Sequence, residues 1–431
     1  MNKPVLLLLG LSLSGLSSVN HAADISGMLK SQSAVATNSG NTQQQEWLLD
    51  VEYQGSLLGG DLTAIGRVRL DTDDDLNRRD RASSFSSING PVFNGPDGAV
   101  ELRELYWDKA TASSYWRIGK QQVVWGEADG LKLLDVINPQ SYREFILDDF
   151  DDSRIPLWMV NMEYNLNDNS VLQLLWIPDT TTHELAPSNS PFALSSPSQV
   201  PQVNGNNNIA IKEAEAPGKL FKDSDAGLRL TSFIGGWDIS LNYLYHYVDT
   251  PVVRAQLQGS NISVTQTYER SHLWGGTASN AFGDWTLRAE FAYETDRYHR
   301  TESSLPGVEK ADQWSSVIGL DWQGWSDQFV SMQWFQTTIT GSDNPLVNDK
   351  REEVISLLWE STFYNETLTL SWRHLHSLNN KDGLVRPKVI YNLQANLDIY
   401  VGADIFYGDK QALFGQFKEE DRVVLGFEWG F

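Results

Sequence analysis

The chain has 431 residues and a formal net charge of −23, because 56 acidic residues outnumber 33 Lys and Arg residues. This acidity argues against nucleic acid as a partner, since a protein that binds phosphates needs a basic surface. The chain has no cysteine, which excludes disulfides and thiolate metal sites. Aromatic residues are abundant, yet the mean hydropathy is negative, which argues against a helical membrane protein.

The N-terminal segment has the pattern of an export signal. Lys3 supplies a positive start, residues 4–16 form an apolar centre, and small residues follow at Ala22 and Ala23. The apolar run is shorter than the ~20 residues that a membrane-spanning helix needs, which disfavours a retained anchor. We therefore expect residues 1–22 to be a signal peptide and residues 23–431 to form one exported domain.

An alternation of apolar and polar residues recurs along the rest of the chain. Residues 237–247 read WDISLNYLYHY, so that a large apolar or aromatic residue occupies every second position. A β-strand with this sequence has one apolar face and one polar face. About sixteen to eighteen such segments of ~10 residues are present, with eighteen as the preferred count, and this length suits strands of a membrane barrel. One of them is predicted to cover residues 262–281.

The connections between these segments are asymmetric. Short turns rich in Gly, Asn and Asp alternate with long segments, such as residues 125–156 and 178–225. Outer-membrane barrels have short periplasmic turns and long extracellular loops. If the first strand begins on the periplasmic side, every short turn falls on that side, and an even number of strands closes the ring.

A soluble β-sandwich or propeller is the alternative fold. Such a protein would gather its aromatic residues in a core shared between sheets. In this chain one face of nearly every segment is polar, and the sequence has no repeat of propeller length. We therefore predict an all-β protein: a transmembrane antiparallel β-barrel in the Gram-negative outer membrane, surrounded by membrane lipid and lipopolysaccharide.

The end of the chain resembles an assembly signal. Phe431 follows apolar or aromatic residues at alternating positions. This arrangement is similar to the C-terminal strand by which the barrel-assembly machinery recognises outer-membrane barrels. The resemblance implies that this machinery is a partner of the chain.

A second resemblance is carried by residues 117–139, RIGKQQVVWGEADGLKLLDVINP. The segment is similar to the G-[RK]-Q-x-V-x-W-G-E … N-P segment of a poorly characterised family of Gram-negative outer-membrane barrels, grouped with porins and alginate-export-like barrels. The matching residues are Gly119, Gln121, Val123, Trp125, Gly126, Glu127, Asn138 and Pro139. The resemblance implies an outer-membrane channel or transporter, without naming its solute.

The segment from residue 125 to residue 156 is too long and too apolar for a free surface loop. We expect it to fold into the barrel mouth and narrow it, partly as a short helix around residues 139–150; a packed outer cap without a gating role is the alternative. Just before it the alternation fails at Lys120 and Gln122, which predicts a bulge or a strand end that re-aims both side chains. The candidate constriction residues are Glu127, Asp129, Asp135, Asn138, Arg143, Glu144, Asp148, Asp149, Asp151, Asp152 and Arg154.

Charged residues on the polar faces of the strands are predicted to line the lumen. Charges inside a barrel need partners, so most of them are expected to form structural ion pairs, while the rest shape a polar path for a solute. The predicted lumen-wall residues are Arg67, Arg69, Arg229, Arg288, Glu290, Arg373 and Arg422.

The sequence DDFDD, with Asp148, Asp149, Asp151 and Asp152, is a weak candidate for a calcium site. Calcium accepts several carboxylate oxygens, but this spacing fits no EF-hand loop. A solvated acidic loop, or one that attracts cations to the pore, is the alternative. We expect no other cofactor.

Together these patterns predict a porin-like channel or transporter that passes a small solute, of lipophilic or amphiphilic character, alone or with a periplasmic partner. A non-conducting barrel that serves as an adhesin or complex anchor is the alternative. An outer-membrane hydrolase is less favoured, because the chain has neither a G-x-S-x-G nor an H-E-x-x-H motif. His374 and His376 could bind a metal, but they share a strand face with Leu370 and Trp372. We therefore expect no enzymatic activity.

Overall fold

Antiparallel β-strands build most of the protein in a computed structural model. The structure describes residues 23–72, 84–95, 97–200, 209–215, 217–258, 261–303 and 305–431. The predicted signal peptide, residues 1–22, lies outside the described residues. The strands confirm the predicted all-β class and the preferred count of eighteen wall strands.

The eighteen wall strands form one closed ring. Each strand pairs antiparallel with its neighbours along the chain, and the first pairs with the last in a register from Met28–Gly430 to Ala36–Arg422. A three-residue strand, Phe93–Gly95, is added beside the wall strand Gly98–Ala110. The wall strands are β1 Asp24–Ala36, β2 Thr42–Leu57, β3 Gly60–Asp71, β4 Gly98–Ala110, β5 Ser114–Gln121, β6 Leu157–Asn167, β7 Ser170–Ile177, β8 Asp225–Ile234, β9 Trp237–Tyr247, β10 Arg270–Phe282, β11 Trp285–Arg300, β12 Val308–Trp322, β13 Gln328–Thr340, β14 Arg351–Phe363, β15 Leu368–Ser377, β16 Gly383–Gln394, β17 Leu397–Tyr407 and β18 Arg422–Gly430.

The two faces of the wall follow the alternation in the sequence. In β9, Leu241 on the outer face is 56% exposed, whereas Asn242 on the inner face is 4% exposed. In β18, Leu425 points outward and Arg422 is buried inside. A closed ring satisfies every strand's backbone groups, and an apolar outer face suits hydrocarbon, so this arrangement is that of a transmembrane barrel.

The connections also follow the predicted asymmetry. Turns of two to five residues join each even-numbered strand, from β2 to β16, to the strand that follows it. The longest connections, residues 122–156 and 178–224, lie at the opposite end of the barrel. The short turns therefore mark the periplasmic side and the long loops the extracellular side.

The extracellular loops carry small additional sheets. Val252–Gln258 and Asn261–Thr267 form a hairpin, and Ile209–Glu215 pairs in parallel with its second strand. The prediction of one strand over residues 262–281 was therefore wrong. The chain leaves the hairpin at Glu269, which pairs with Arg254 at 2.8 Å, before β10 begins. Both pieces alternate, so the sequence pattern did not reveal the break.

Helices are scarce in the described residues. A single turn of α-helix, Phe150–Ser153, and a 3-10 turn, Gly415–Phe417, are present, and no described helix is long and apolar enough to span a membrane. The prediction of a short helix around residues 139–150 was wrong. Ser141–Tyr142 instead pairs with Glu184–Leu185, and the positive φ of 56° at Phe145 interrupts any helical run.

The orientation of β9 can be tested with Leu241→Arg. A charge on the lipid face should lower the free energy of unfolding in lipid vesicles by about 2–4 kcal/mol. The control, Leu241→Met, keeps the volume and should cost less than about 1.5 kcal/mol. Denaturant unfolding followed by tryptophan fluorescence measures both, and equal losses would contradict an outward-facing Leu241.

Candidate functional site in the barrel lumen

The connection between β5 and β6, residues 122–156, folds into the barrel and is termed the lumen loop. Asn138 ties its two ends together. The Val123 backbone N–H donates to Asn138 Oδ1 at 2.8 Å, and Asn138 Nδ2 donates to the Ile155 carbonyl at 3.0 Å. This clamp returns the chain to the wall beside the point where it left.

An apolar cluster anchors the first half of the lumen loop to the wall. Trp125 and Leu134 are fully buried, and Trp125 Nε1 donates to Gln173 Oε1 at 2.8 Å. The cluster consists of Val123, Trp125, Leu134 and Ile137 from the loop and Leu157, Met159, Leu175, Ile177, Leu244, Leu273 and Ala292 from the wall. Burying a single large aliphatic side chain contributes about 1.5–3 kcal/mol, so this half of the loop is firmly held.

Polar contacts with β11 and a close approach to β14 extend the same attachment. Glu290 accepts hydrogen bonds from the backbone N–H groups of Glu127 and, at 3.2 Å, Leu134. Arg288 contacts the Asp129 carboxylate. A Cβ built on Gly130 would lie 2.4 Å from Ser356 Oγ, so the loop backbone approaches the wall more closely than a side chain would allow.

An ion-pair chain fastens the second half of the loop. Glu144, fully buried, pairs at 2.9 Å with both Arg143 of the loop and Arg422 of β18. Arg143 also pairs with Glu46 at 2.9 Å. The chain runs in order through Arg69, Glu46, Arg143, Glu144, Arg422, Asp404 and Arg386, with distances of 2.7–3.1 Å. Because these groups are withdrawn from water, each depends on its partner for compensation of its charge.

Asp152 makes a second ionic attachment. Its carboxylate lies 2.7 Å from Arg67 and 2.9 Å from Lys30 of β1, while Arg67 also pairs with Asp50 at 2.6 Å. Burial alone would raise the pKa of Asp152, but Arg67 and Lys30 hold that pKa below its ordinary value. The Asp152 carboxylate is therefore ionised wherever the fold is intact at neutral pH.

A polar cavity lies between the loop and the wall and is termed the lumen cavity; it measures about 600 Å³ when the solvent at its open sides is included. Its most basic stretch presents Arg373 of β15 and Lys388 of β16. Neither side chain has an ion pair in the part of the chain that the structure describes, although Lys388 Nζ lies 4.0 Å from the centre of the Tyr400 ring. The cavity is lined by Gln32, Asp149, Ser371, Arg373, Arg386, Pro387, Lys388, Tyr400, Gly402, Ala403, Asp404, Arg422 and Val424.

One known protein family matches almost the whole length of the chain. Residues 10–430 match the family described as protein of unknown function, DUF1302. The chain belongs to the DUF1302 family. This match does not test the motif resemblance at residues 117–139, which stays a prediction. Among curated proteins, none matches the chain.

Solved structures with the same fold are outer-membrane barrels. OccK2 (OpdF) from Pseudomonas aeruginosa is 12% identical, with a TM-score of 0.54 over 95% of this chain and 97% of that one. OpdK from the same organism, crystallised with vanillate, is 10% identical, with a TM-score of 0.54 over 95% and 98%. A BenF-like porin from Pseudomonas fluorescens is 11% identical, with a TM-score of 0.52 over 96% and 98%. The protein therefore has a porin-like barrel and resides in the Gram-negative outer membrane.

The structure places the predicted lumen-wall residues on the inner face, and most of them contact the lumen loop. Arg67, Arg288, Glu290 and Arg422 bind it directly, Arg69 reaches it through Glu46, and Arg229 Nη1 donates to the Val124 carbonyl at 3.3 Å. Arg373 lines the lumen cavity instead. Sequence reasoning missed the inner-face residues Lys30, Arg386, Lys388 and Tyr400, although their positions in alternating strands could have signalled them.

The predicted loop residues divide into those that hold the loop and those that face open space. Besides the contacts above, Asp135 pairs with Arg154 at 2.7 Å. Asp148, Asp149 and Asp152 line one cavity between the loop and the wall. The Asp151 side chain is 89% exposed and contacts Arg154. The described residues contain no group of three or more His, Cys, Asp or Glu side chains that could hold a metal ion. The calcium hypothesis stays a prediction.

The two histidines considered as metal ligands have another partner. The Tyr407 hydroxyl lies 2.8 Å from His374 Nε2 and 2.7 Å from His376 Nδ1. Both rings are on the face that carries Trp372, which is 40% exposed toward the membrane side. The pair therefore forms a side-chain cluster on the outer face of the wall, away from the lumen.

The ion-pair chain can be tested with Glu144→Gln. Removing this buried charge leaves Arg143 and Arg422 undercompensated and should lower the free energy of unfolding by about 3–5 kcal/mol. The control is Glu353→Gln. Glu353 lies 2.9 Å from Arg351, whose side chain is 56% exposed, so this substitution should lower the free energy of unfolding by less than about 1 kcal/mol. Guanidinium unfolding in lipid vesicles measures both, and similar losses would contradict a buried ionic attachment.

Proposed function

We propose that the protein is a diffusion channel for a small amphiphilic solute that carries an anionic group. The lumen loop narrows the bore, so that the solute passes through the lumen cavity between the loop and β15–β18. The porin-like fold supports the channel, and the placement of the loop supports a constriction. Transport is driven by the concentration gradient, alone or with a periplasmic partner.

The observation that carries the solute class is the pair of cations without carboxylate partners. Arg373 and Lys388 line the same cavity, whereas the neighbouring Arg386 and Arg422 share Asp404 at 2.7 Å. Placing a charge in a confined, low-dielectric site is costly unless an opposite charge compensates it. A carboxylate or similar anion on the solute supplies that charge during passage.

The structural neighbours are consistent with this class of solute. OpdK was crystallised with vanillate, and OccK2 was crystallised in complex with glucuronate. Both ligands are small carboxylates. The net charge of −23 for the whole chain disfavours a highly charged polyanion, but the local cations suit a solute with one negative group.

The apolar part of the solute is supported by Pro387, Ala403 and Val424, which line the lumen cavity beside the cations. Phe145 of the lumen loop packs against Phe417 with ring centres 4.8 Å apart, and against Phe406 of β17 at 6.3 Å. Phe192 and Phe414 belong to the same cluster. These rings are buried against one another outside the cavity lining, so they hold the lumen loop beside the cavity.

A non-conducting barrel that anchors a complex or acts as an adhesin is the second candidate, because the lumen loop fills much of the bore. Planar-bilayer recording separates the two functions. A channel gives discrete steps in conductance, and an anchor gives none. Liposome swelling with sugars, amino acids, fatty acids and aromatic carboxylates then identifies the solute class.

The role of the free cations can be tested with the double variant Arg373→Gln and Lys388→Gln. Swelling with an aromatic carboxylate should slow about tenfold, because local charge no longer concentrates the anion, whereas swelling with a neutral sugar should change little. Arg351→Gln, which alters an exposed cation outside the cavity, is the control and should leave both rates unchanged. An equal effect on anion and sugar would contradict an anion-binding cavity.

Asp148 predicts a pH dependence of ion selectivity. Burial, assisted by the nearby Glu144 carboxylate, raises the pKa of Asp148 to about 7. The group is therefore largely neutral at pH 6 and largely charged at pH 8, so cation preference should increase as the pH rises through this range. Reversal potentials in a salt gradient measure the change. Asp148→Asn should lose this component, and a variant with the same pH profile as the native protein would exclude Asp148 as its source.

A further inference from the structure

A turn just before β8, residues 217–224, lies against the outer face of the barrel and is termed the rim turn. The Phe221 ring stacks on Trp176 of β7, with ring centres 5.9 Å apart and planes at 14°. Trp176 is 37% exposed whereas its neighbour Leu175 is 4% exposed, so Trp176 belongs to the outer face. Because Trp176 is the last residue but one of β7, the rim turn covers the outer wall at its extracellular end.

Aromatic side chains mark the membrane boundary at the same level. Trp176 pairs with Ala226 of β8, and Ala226 pairs with Tyr245 of β9. Tyr245 and Tyr247 continue the outward-facing positions of β9 to its extracellular end. Girdles of aromatic residues flank the apolar band of outer-membrane barrels at both interfaces. The rim turn therefore lies where the hydrocarbon of the extracellular leaflet meets its head groups.

Hydrogen bonds hold the backbone of the rim turn in place. Asp223 Oδ2 accepts from the backbone N–H groups of Gly218 and Lys219, each at 2.9 Å. Arg270 of β10 donates to the Lys222 carbonyl at 3.3 Å, which ties the turn to the wall. The polar groups of the backbone are thus engaged on the protein side, and the side chains at the tip point away from it.

The tip of the rim turn presents two cations beside two apolar side chains. Leu220 is 50% exposed and Phe221 is 80% exposed. Lys219 and Lys222 flank this pair in the sequence, and both are exposed. Neither lysine has an ion pair within the residues that the structure describes. The tip therefore combines positive charge with apolar surface at a membrane boundary.

The two carboxylates nearest the tip are already engaged. Asp223 is buried and accepts from the turn backbone, while Asp225 pairs with Arg270 at 3.0 Å. Arg270 in turn lies over the Tyr247 ring, 4.0 Å from its centre. These contacts leave the ammonium groups of the rim turn for an anion supplied by the membrane.

We propose that the rim turn binds lipopolysaccharide in the extracellular leaflet. The phosphates on the lipid A sugars accept hydrogen bonds from Lys219 and Lys222, and the acyl chains below them contact Leu220 and Phe221. Charge-assisted hydrogen bonds to phosphate are strong, and basic residues beside a membrane attract anionic head groups. The apolar side chains alone would accept any acyl chain, so the two ammonium groups select a phosphorylated lipid. The site lies outside the bore and does not depend on the proposed channel.

Native mass spectrometry of the full chain in detergent micelles, titrated with diphosphoryl lipid A, tests the proposal. The combined substitutions Lys219→Gln and Lys222→Gln should weaken the affinity for the first lipid A about 30-fold, because each lysine beside an anionic head group contributes roughly fivefold. Phe221→Ser should also weaken it, through lost acyl contact. The matched control, Lys381→Gln with Lys410→Gln, removes two exposed lysines from other extracellular loops and should leave the affinity unchanged.

A conservative pair, Lys219→Arg with Lys222→Arg, keeps both charges and should retain the affinity. Gel mobility shows which variants are folded barrels, and single Lys→Gln variants, each weakened about fivefold, replace the glutamine pair if it does not fold. Equal weakening by the rim-turn pair and the control pair would overturn the proposal, because net charge alone would then govern binding. Equal affinity for dioleoylphosphatidylglycerol would overturn it as well, since any anionic lipid would then suffice. So would displacement of lipid A by inorganic phosphate, because the acyl chains would then contribute nothing.

Discussion

Backbone polar groups in hydrocarbon must find partners within the protein, and each unsatisfied group costs several kcal/mol. The pairing of β1 with β18 meets this requirement for the last open edges of the sheet. Once the ring is closed, its outer face must be apolar and its inner face is free to be polar. The enclosed bore then concentrates charged side chains in a space where each needs a counter-charge.

The lumen loop supplies counter-charges for the charged side chains in the bore. Its acidic residues meet the inner-face arginines, as Glu144 does with Arg422 and Asp152 with Arg67. Its apolar residues cover the few apolar positions of the inner wall around Met159. Arg373 and Lys388 stay outside this compensation, and the proposed transport of an anionic amphiphile follows from that exception. The loop thus stabilises the wall and leaves the lumen cavity open beside it.

The strands and their faces could be predicted from the sequence, because the alternation of apolar and polar residues within one strand does not depend on which strands lie beside it. The sequence also predicted that the lumen loop would turn inward, since side chains such as Leu134 and Ile137 are too apolar to remain in water. The partners could not be predicted in the same way. Glu144 and Arg422 are 278 residues apart, and their meeting depends on strand register and tilt around the whole ring. No helix covers residues 139–150, because the apolar residues there pack against distant aromatic rings, as Phe145 does.

We infer that the lumen loop occupies the bore and is held there by charge. Single-channel conductance of a variant that lacks residues 148–152 tests it most directly, because the deletion removes the Asp152 contacts with Arg67 and Lys30 and shortens the loop. We expect larger conductance steps and a shift of ion selectivity toward anions relative to the native protein. Unchanged steps with unchanged selectivity would contradict it.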